Sequence, residues 1–181
     1  MKHFGYLLLI LLFFNQCRNK EENIITQFPG KPEVPASLKE DHTCLLEKLQ
    51  KIALFQDSSG LAAKKLKNLM QHHFQEEEDY VFSPLGLLPM LASGKIPEQS
   101  EEVIKLTEKF KTQLTHMNIE HQMIKAYMEE MKLADKDKNH PEIIEFEKEV
   151  HKHAKSEEDV FFPAAILVGD FLKLKSARTG Q

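Results

Sequence analysis

Apolar residues recur along this chain at steps of three and four, with no strict strand-like alternation, so the pattern predicts helices throughout. The first, over 37–56, carries Leu38, His42, Leu45, Leu46, Leu49 and Ile52 on one face. Ser37-Leu38-Lys39-Glu40 reads as its capping box, in which the Ser and Glu side chains satisfy free backbone donors. Asp57-Ser58-Ser59-Gly60 breaks it. The second, over 60–82, has a stripe of Ala62, Leu66, Leu69, Met70 and Val81, with Leu61 beside it and interruptions at His73 and Glu77. The third, over 98–134, runs through Val103, Leu106, Phe110, Leu114, Met117, His121, Ile124, Met128 and Met131. Asn139-His140-Pro141-Glu142 opens the fourth with a cap residue, a first-turn proline and a back-reaching Glu. Its stripe is Ile143, Phe146, Val150, His153, Glu157, Val160 and Ala164, and Pro163 is expected to end or kink it. Four amphipathic helices with mostly short connections, the longest over 83–97, predict an all-α, antiparallel up-down four-helix bundle.

The stripes contain residues that a plain core would not hold. His42, His73, His121 and His153 sit on them, one per helix, and Glu77 and Glu157 follow a histidine by one turn on the same face. The arrangement repeats. His73 through Phe82 matches His153 through Phe162, with His, then Glu-Glu-Asp, then Phe at equivalent places, and Asp41-His42 matches Glu120-His121. The chain therefore reads as two helical hairpins, each carrying a His and then a His-x-x-x-Glu pair. One histidine in a core is ordinarily a structural residue held by hydrogen bonds. Two ionised carboxylates in a core, each beside a histidine, cost on the order of several kcal/mol each unless cations offset them. Four imidazoles and two bridging carboxylates inside a helical bundle suit a pair of first-row metal ions.

The other histidines are less telling. His72-x-x-x-Glu76 is an alternative to His73-x-x-x-Glu77, although the repeat favours the latter. His116 lies off the stripe and is a candidate extra ligand. His151 faces outward, His140 marks a helix start, and the methionines at 117, 123, 128 and 131 read as core filling.

These residues carry a resemblance. Asp41-His42, His73 with Glu77 and Glu78, Glu120-His121, His153 with Glu157 and Glu158, and the Val81-Phe82 and Phe161-Phe162 segments near Pro84 and Pro163 resemble the hemerythrin-like, HHE cation-binding family over about 38–165. The resemblance implies a four-helix bundle holding a non-heme di-iron centre, two iron ions on His42, His73, Glu77, His121, His153 and Glu157. It implies a ligand such as O2, peroxide or nitric oxide. Manganese or zinc in place of iron stays open, as do an oxidase- or peroxidase-type enzyme and a structural or storage bundle. The oxygen-carrying hemerythrins place a second histidine one turn after the third-helix ligand, where this chain has Lys125. They also place their last carboxylate, an Asp, five residues after the final His. Here Glu157 stands at four and Glu158 at five. This set leaves the metal pair more open than a carrier's.

Composition narrows the remainder. The chain has 181 residues, which fits one domain, and a formal net charge of −4 with nine neutral histidines. No basic surplus exists to neutralise phosphates, so nucleic acid is not an expected partner. No glycine-rich phosphate loop is present. Residues 4–14 form an apolar run after Lys2, too short to span a bilayer and suited to a secretory signal. Cys17 follows and resembles the lipid-modified cysteine of bacterial lipoproteins, although Asn15 and Gln16 stand where that motif has small residues. A plain signal, an uncleaved anchor and a cytosolic protein stay open beside it. Residues 18–36 hold Pro29, Pro32 and Pro35 and read as a tether. The expected organisation is a signal over 1–17, a tether over 18–36 and a bundle over 37–175, in an exported, lipid-anchored protein. Cys44 lies in a predicted helix, so no disulfide to Cys17 is expected.

Overall fold

A computed structural model describes residues 31–97, 100–136 and 140–179. Cys17, the expected signal and Asn139 lie outside the described residues. All regular structure among the described residues is helical: α1 (Ala36–Ile52), α2 (Ser58–Glu76), α3 (Leu88–Ala92), α4 (Glu101–Asp135), α5 (Pro141–Ser156) and α6 (Phe162–Thr179). A π-helical turn, Glu77–Val81, extends α2, and a second, Glu157–Phe161, joins α5 to α6 in one rod. Four long rods therefore run antiparallel, with α2 between α1 and α4, and the last rod touching both α4 and α1.

Local chemistry sets the ends. The capping box expected at Ser37 does not form, because the helix starts one residue earlier. Pro35 supplies the turn, and its carbonyl accepts from the Leu38 and Lys39 amides at 3.0 and 3.4 Å. Asp57, expected only to break the chain, caps α2 by accepting from the Ser59 and Gly60 amides at 2.9 and 3.1 Å. Gly60 permits the tight approach, since a Cβ there would stand 2.0 Å from the Phe55 carbonyl oxygen. Asp135 at the end of α4 accepts from the His140 amide at 2.8 Å and also meets its ring, which ties the start of α5 to the preceding helix.

Pro163, expected to end or kink its rod, does not end it, and the helix continues to Thr179. The Phe162 amide bonds to the Glu157 carbonyl, five residues back, and Pro163 falls just after this change of register, where its missing N–H is tolerated. The extra residue in the turn also rotates the remainder of the rod. Val160, expected on the stripe, is 55% exposed, while Phe162, Ala165, Val168 and Leu172 are buried. The described end of the segment read as a tether is packed. Val34 is buried in the core, the Ser83 hydroxyl donates to the Pro32 carbonyl, and Gly86 passes against Glu33. The connection 83–97 is correspondingly ordered, with a 3-10 turn (Ser83–Leu87) ahead of α3.

The core is divided by polar groups. One apolar cluster includes Leu49, Leu66, Met70, Met128, Met131 and Phe146. Another includes Tyr80, Phe82, Phe110, Met117 and Phe162. Between them lie His42, His73, Glu77, His121, His153 and Glu157, all buried. Of the four methionines read as core filling, Met117, Met128 and Met131 are buried and Met123 is 42% exposed. No helix among the described residues is long and apolar enough to cross a membrane.

Candidate metal centre

Each of the six residues reaches the centre for a local reason. His42 and His121 point inward because they occupy core positions of α1 and α4, among Leu45 and Leu49 in one helix and Met117 and Ile124 in the other. His73 and His153 lie in the last turns of α2 and α5, and Glu77 and Glu157, four residues on, begin the two π turns. In both turns the amide of the residue five on, Phe82 or Phe162, bonds to the glutamate's carbonyl. This widening keeps the glutamate inward and turns the next residue, Glu78 or Glu158, to the flank of the site. Apolar spacing carries no sign of these turns, because a π segment leaves it unbroken up to the point where the extra residue enters.

The six residues form two overlapping sets. His42, His153, Glu77 and Glu157 offer ligand atoms within 4.8 Å of one another, and so do His73, His121 and the same two glutamates. Glu77 faces His42 with Oε2 at 3.3 Å and His73 with Oε1 at 3.4 Å. Glu157 faces His153 with Oε1 at 2.8 Å and His121 with Oε2 at 3.3 Å. Each carboxylate thus turns one oxygen to each half. All four histidine Nε2 atoms and all four glutamate oxygens are buried without a hydrogen-bond partner. Orphaned buried polar atoms are costly, and eight converging on one point make a cage whose chemistry fits two cations.

The outer ring nitrogens are all held. His42 Nδ1 lies 2.9 Å from Glu78, and His121 Nδ1 lies 2.8 Å from Glu158. His73 Nδ1 lies 2.8 Å from Glu120, and His153 Nδ1 lies 2.7 Å from Asp41. A carboxylate on Nδ1 fixes the tautomer that leaves Nε2 free to bind a metal. The Glu-Glu-Asp repeat points to Glu78 and Glu158 as such partners. Asp41 and Glu120 are visible along the chain only as a matching residue before each histidine, because their targets sit on other helices.

The electrostatics also call for positive charge. Burial works against protonating His153, but its hydrogen bond to Asp41 and the adjacent Glu157 carboxylate outweigh it and push the imidazole up to about 10. His42, likewise buried, is pushed up to about 9 by Glu157 and Glu77. Burial and the neighbouring Glu157 charge raise the Glu77 carboxyl. Burial works to raise the Glu157 carboxyl, but the surrounding imidazoles of His121, His153 and His42 hold it well below the usual range.

The alternatives within the sequence are separated as well. His73 and Glu77 point inward, whereas His72 is exposed with Glu76 near it on the flank. His116 does not enter the centre. It is half-exposed and lies 3.2 Å from Glu76. Lys125, where a carrier has its additional histidine, lies 3.7 Å from Glu158. The two halves differ in access. Phe74 stacks on His42 with ring centroids 3.9 Å apart, while the equivalent residue beside His121 is Ala154. A groove of about 650 Å³ between α4 and α5 opens there, lined by His121, Ile124, Lys125, Met128, Val150 and Ala154.

The family model described as the hemerythrin HHE cation binding domain matches residues 36–165. No curated protein and no solved structure matches the chain significantly.

Proposed function

Since the chain belongs to the hemerythrin HHE cation-binding family, we propose that it holds a non-heme di-iron centre and binds O2 or a related small molecule, peroxide or nitric oxide, at that centre. The observation that carries this reading is the set of eight unpartnered donor atoms, two nitrogens and two carboxylate oxygens to each half. His42 and His153 would hold one ion and His73 and His121 the other, with Glu77 and Glu157 shared. A pair of irons held there would supply redox chemistry toward oxygen species. Four protein donors per ion leave coordination positions for an exogenous ligand.

The residues around the centre fix what can reach it. Phe74, stacked on His42, and Phe162, lying 5.7 Å from His121 and nearly parallel to it, wall the site with apolar rings. Such walls shield these imidazoles from bulk water. The groove beside Ala154 favours approach to the His73/His121 half.

The test is metal content with a visible spectrum. The protein is loaded with ferrous iron without oxygen and then exposed to air. About two irons per chain and a ligand-to-iron absorption band that reverses when O2 is removed are expected. A colourless protein, or one that takes up no iron, overturns the reading. Export and lipid anchoring form part of the same proposal, supported by the apolar run over 4–14 and by Cys17. Cys17→Ser is expected to move the protein out of the membrane fraction, and an unchanged distribution refutes the anchor.

A further inference from the structure

Just outside the central cluster, α2 and α4 face one another with two more His-x-x-x-Glu pairs, His72 with Glu76 and His116 with Glu120. His116 Nε2 lies 3.2 Å from Glu76 Oε2 and 3.6 Å from Glu120 Oε1. His72 Nδ1 lies 3.6 Å from that same Glu120 oxygen. His72, Glu76 and Glu120 can each offer a ligand atom within 4.8 Å of the others. Around a tetrahedral ion with bonds of about 2.0–2.1 Å, neighbouring ligand atoms stand about 3.3–3.4 Å apart. The three separations of 3.2, 3.6 and 3.6 Å bracket that edge, with His116 approaching the His72, Glu76 and Glu120 set from α4.

The repeat provides an internal comparison. It equates α4 with α1 and α2 with α5, so the same four positions in the other half are Ser37, Asp41, Lys152 and Ser156. There only Asp41 is retained, holding His153 as Glu120 holds His73. The carboxylate on the imidazole is common to both halves. His72, Glu76 and His116 are additions to one half, and holding His73 does not require them.

We propose that His72, Glu76, His116 and Glu120 form a third cation site, open to solvent, for a single divalent transition-metal ion such as zinc or ferrous iron. Mixed imidazole and carboxylate donors favour such ions over magnesium and calcium, which prefer oxygen alone. Glu120 spans the two sites, with Oε2 on His73 Nδ1 and Oε1 turned toward the outer histidines. The third site does not depend on the central ions being iron.

The experiment counts zinc bound by the full chain, purified without a histidine tag, at micromolar free zinc with excess magnesium present. The His72→Ala/His116→Ala variant is expected to bind one ion fewer per chain. Both side chains are largely exposed, at 66% and 45%, so helix content and melting temperature should hold. Should the alanines disturb the fold, His116→Gln alone is expected to lose the same ion. Glu157→Gln, which disables the central pair, is expected to retain the outer ion, so failure of the two readings can be told apart. Equal zinc counts in the wild type and the histidine variants would overturn the third site.

Discussion

Asp41 Oδ2 lies 2.7 Å from Nδ1 of His153, a residue 112 positions further along the chain. This contact joins α1 to α5 and orients the imidazole whose other nitrogen faces Glu157. Asp41→Asn keeps the size of the side chain and removes its charge, so the ring is held less firmly and is less basic. Removal of such an outer partner typically weakens metal binding about 10–100-fold. Competition against a chelator should show a loss in that range, and Glu120→Gln should show a similar one through His73. Unchanged affinity in both variants would show that the carboxylates do not position the ligands.

Glu77 gives one oxygen to each half, so its removal should affect both ions together. Glu77→Ala is expected to abolish stoichiometric metal binding and leave an unsettled core. Metal analysis that still finds two ions per chain would refute the assignment of this residue.

The metal-free protein should respond to alkali. His42 and His153 titrate at about 9 and 10 in the fold, against an ordinary value of 6.5. Both are raised, so their contribution to stability is fully present below 6.5 and is lost as pH rises through 9 and 10. The melting temperature of metal-free protein should therefore fall across that alkaline window. Metal-loaded protein, whose imidazoles hold cations in place of protons, should fall less. Parallel curves for the two forms would contradict the coupling.

Ala154 leaves the space beside His121 that Phe74 fills beside His42. Ala154→Phe should close the groove and slow the entry of a small anion such as azide into the iron-loaded protein, by about tenfold or more, while metal content stays at the wild-type level. Stopped-flow absorbance measures this directly. An unaltered rate would place the route elsewhere.

Much of this architecture is written in local spacing. Steps of three and four mark the four rods, since an amphipathic helix must turn one face to the core whatever it packs against. The six central residues are legible for the same reason. They occupy positions that the period assigns to the interior, and an interior carboxylate needs a cation. The tertiary structure decided what depends on partners distant in sequence. Ser37 could not declare itself a cap, because Pro35 had already begun the helix. The π turn at Glu157–Phe161 leaves Val160 outward and carries the rod past Pro163, and apolar periodicity does not register an added residue until after it has occurred. The packing of Val34 and Pro32 depends on a connection some fifty residues later, around Ser83. Asp41 and Glu120 find their imidazoles across the bundle, and His72 meets His116 and Glu120 only because α2 lies against α4. A sequence shows which side of a helix faces inward. The pairing of helices, which brings carboxylates to imidazoles on neighbouring rods, arises only when all four faces are buried together.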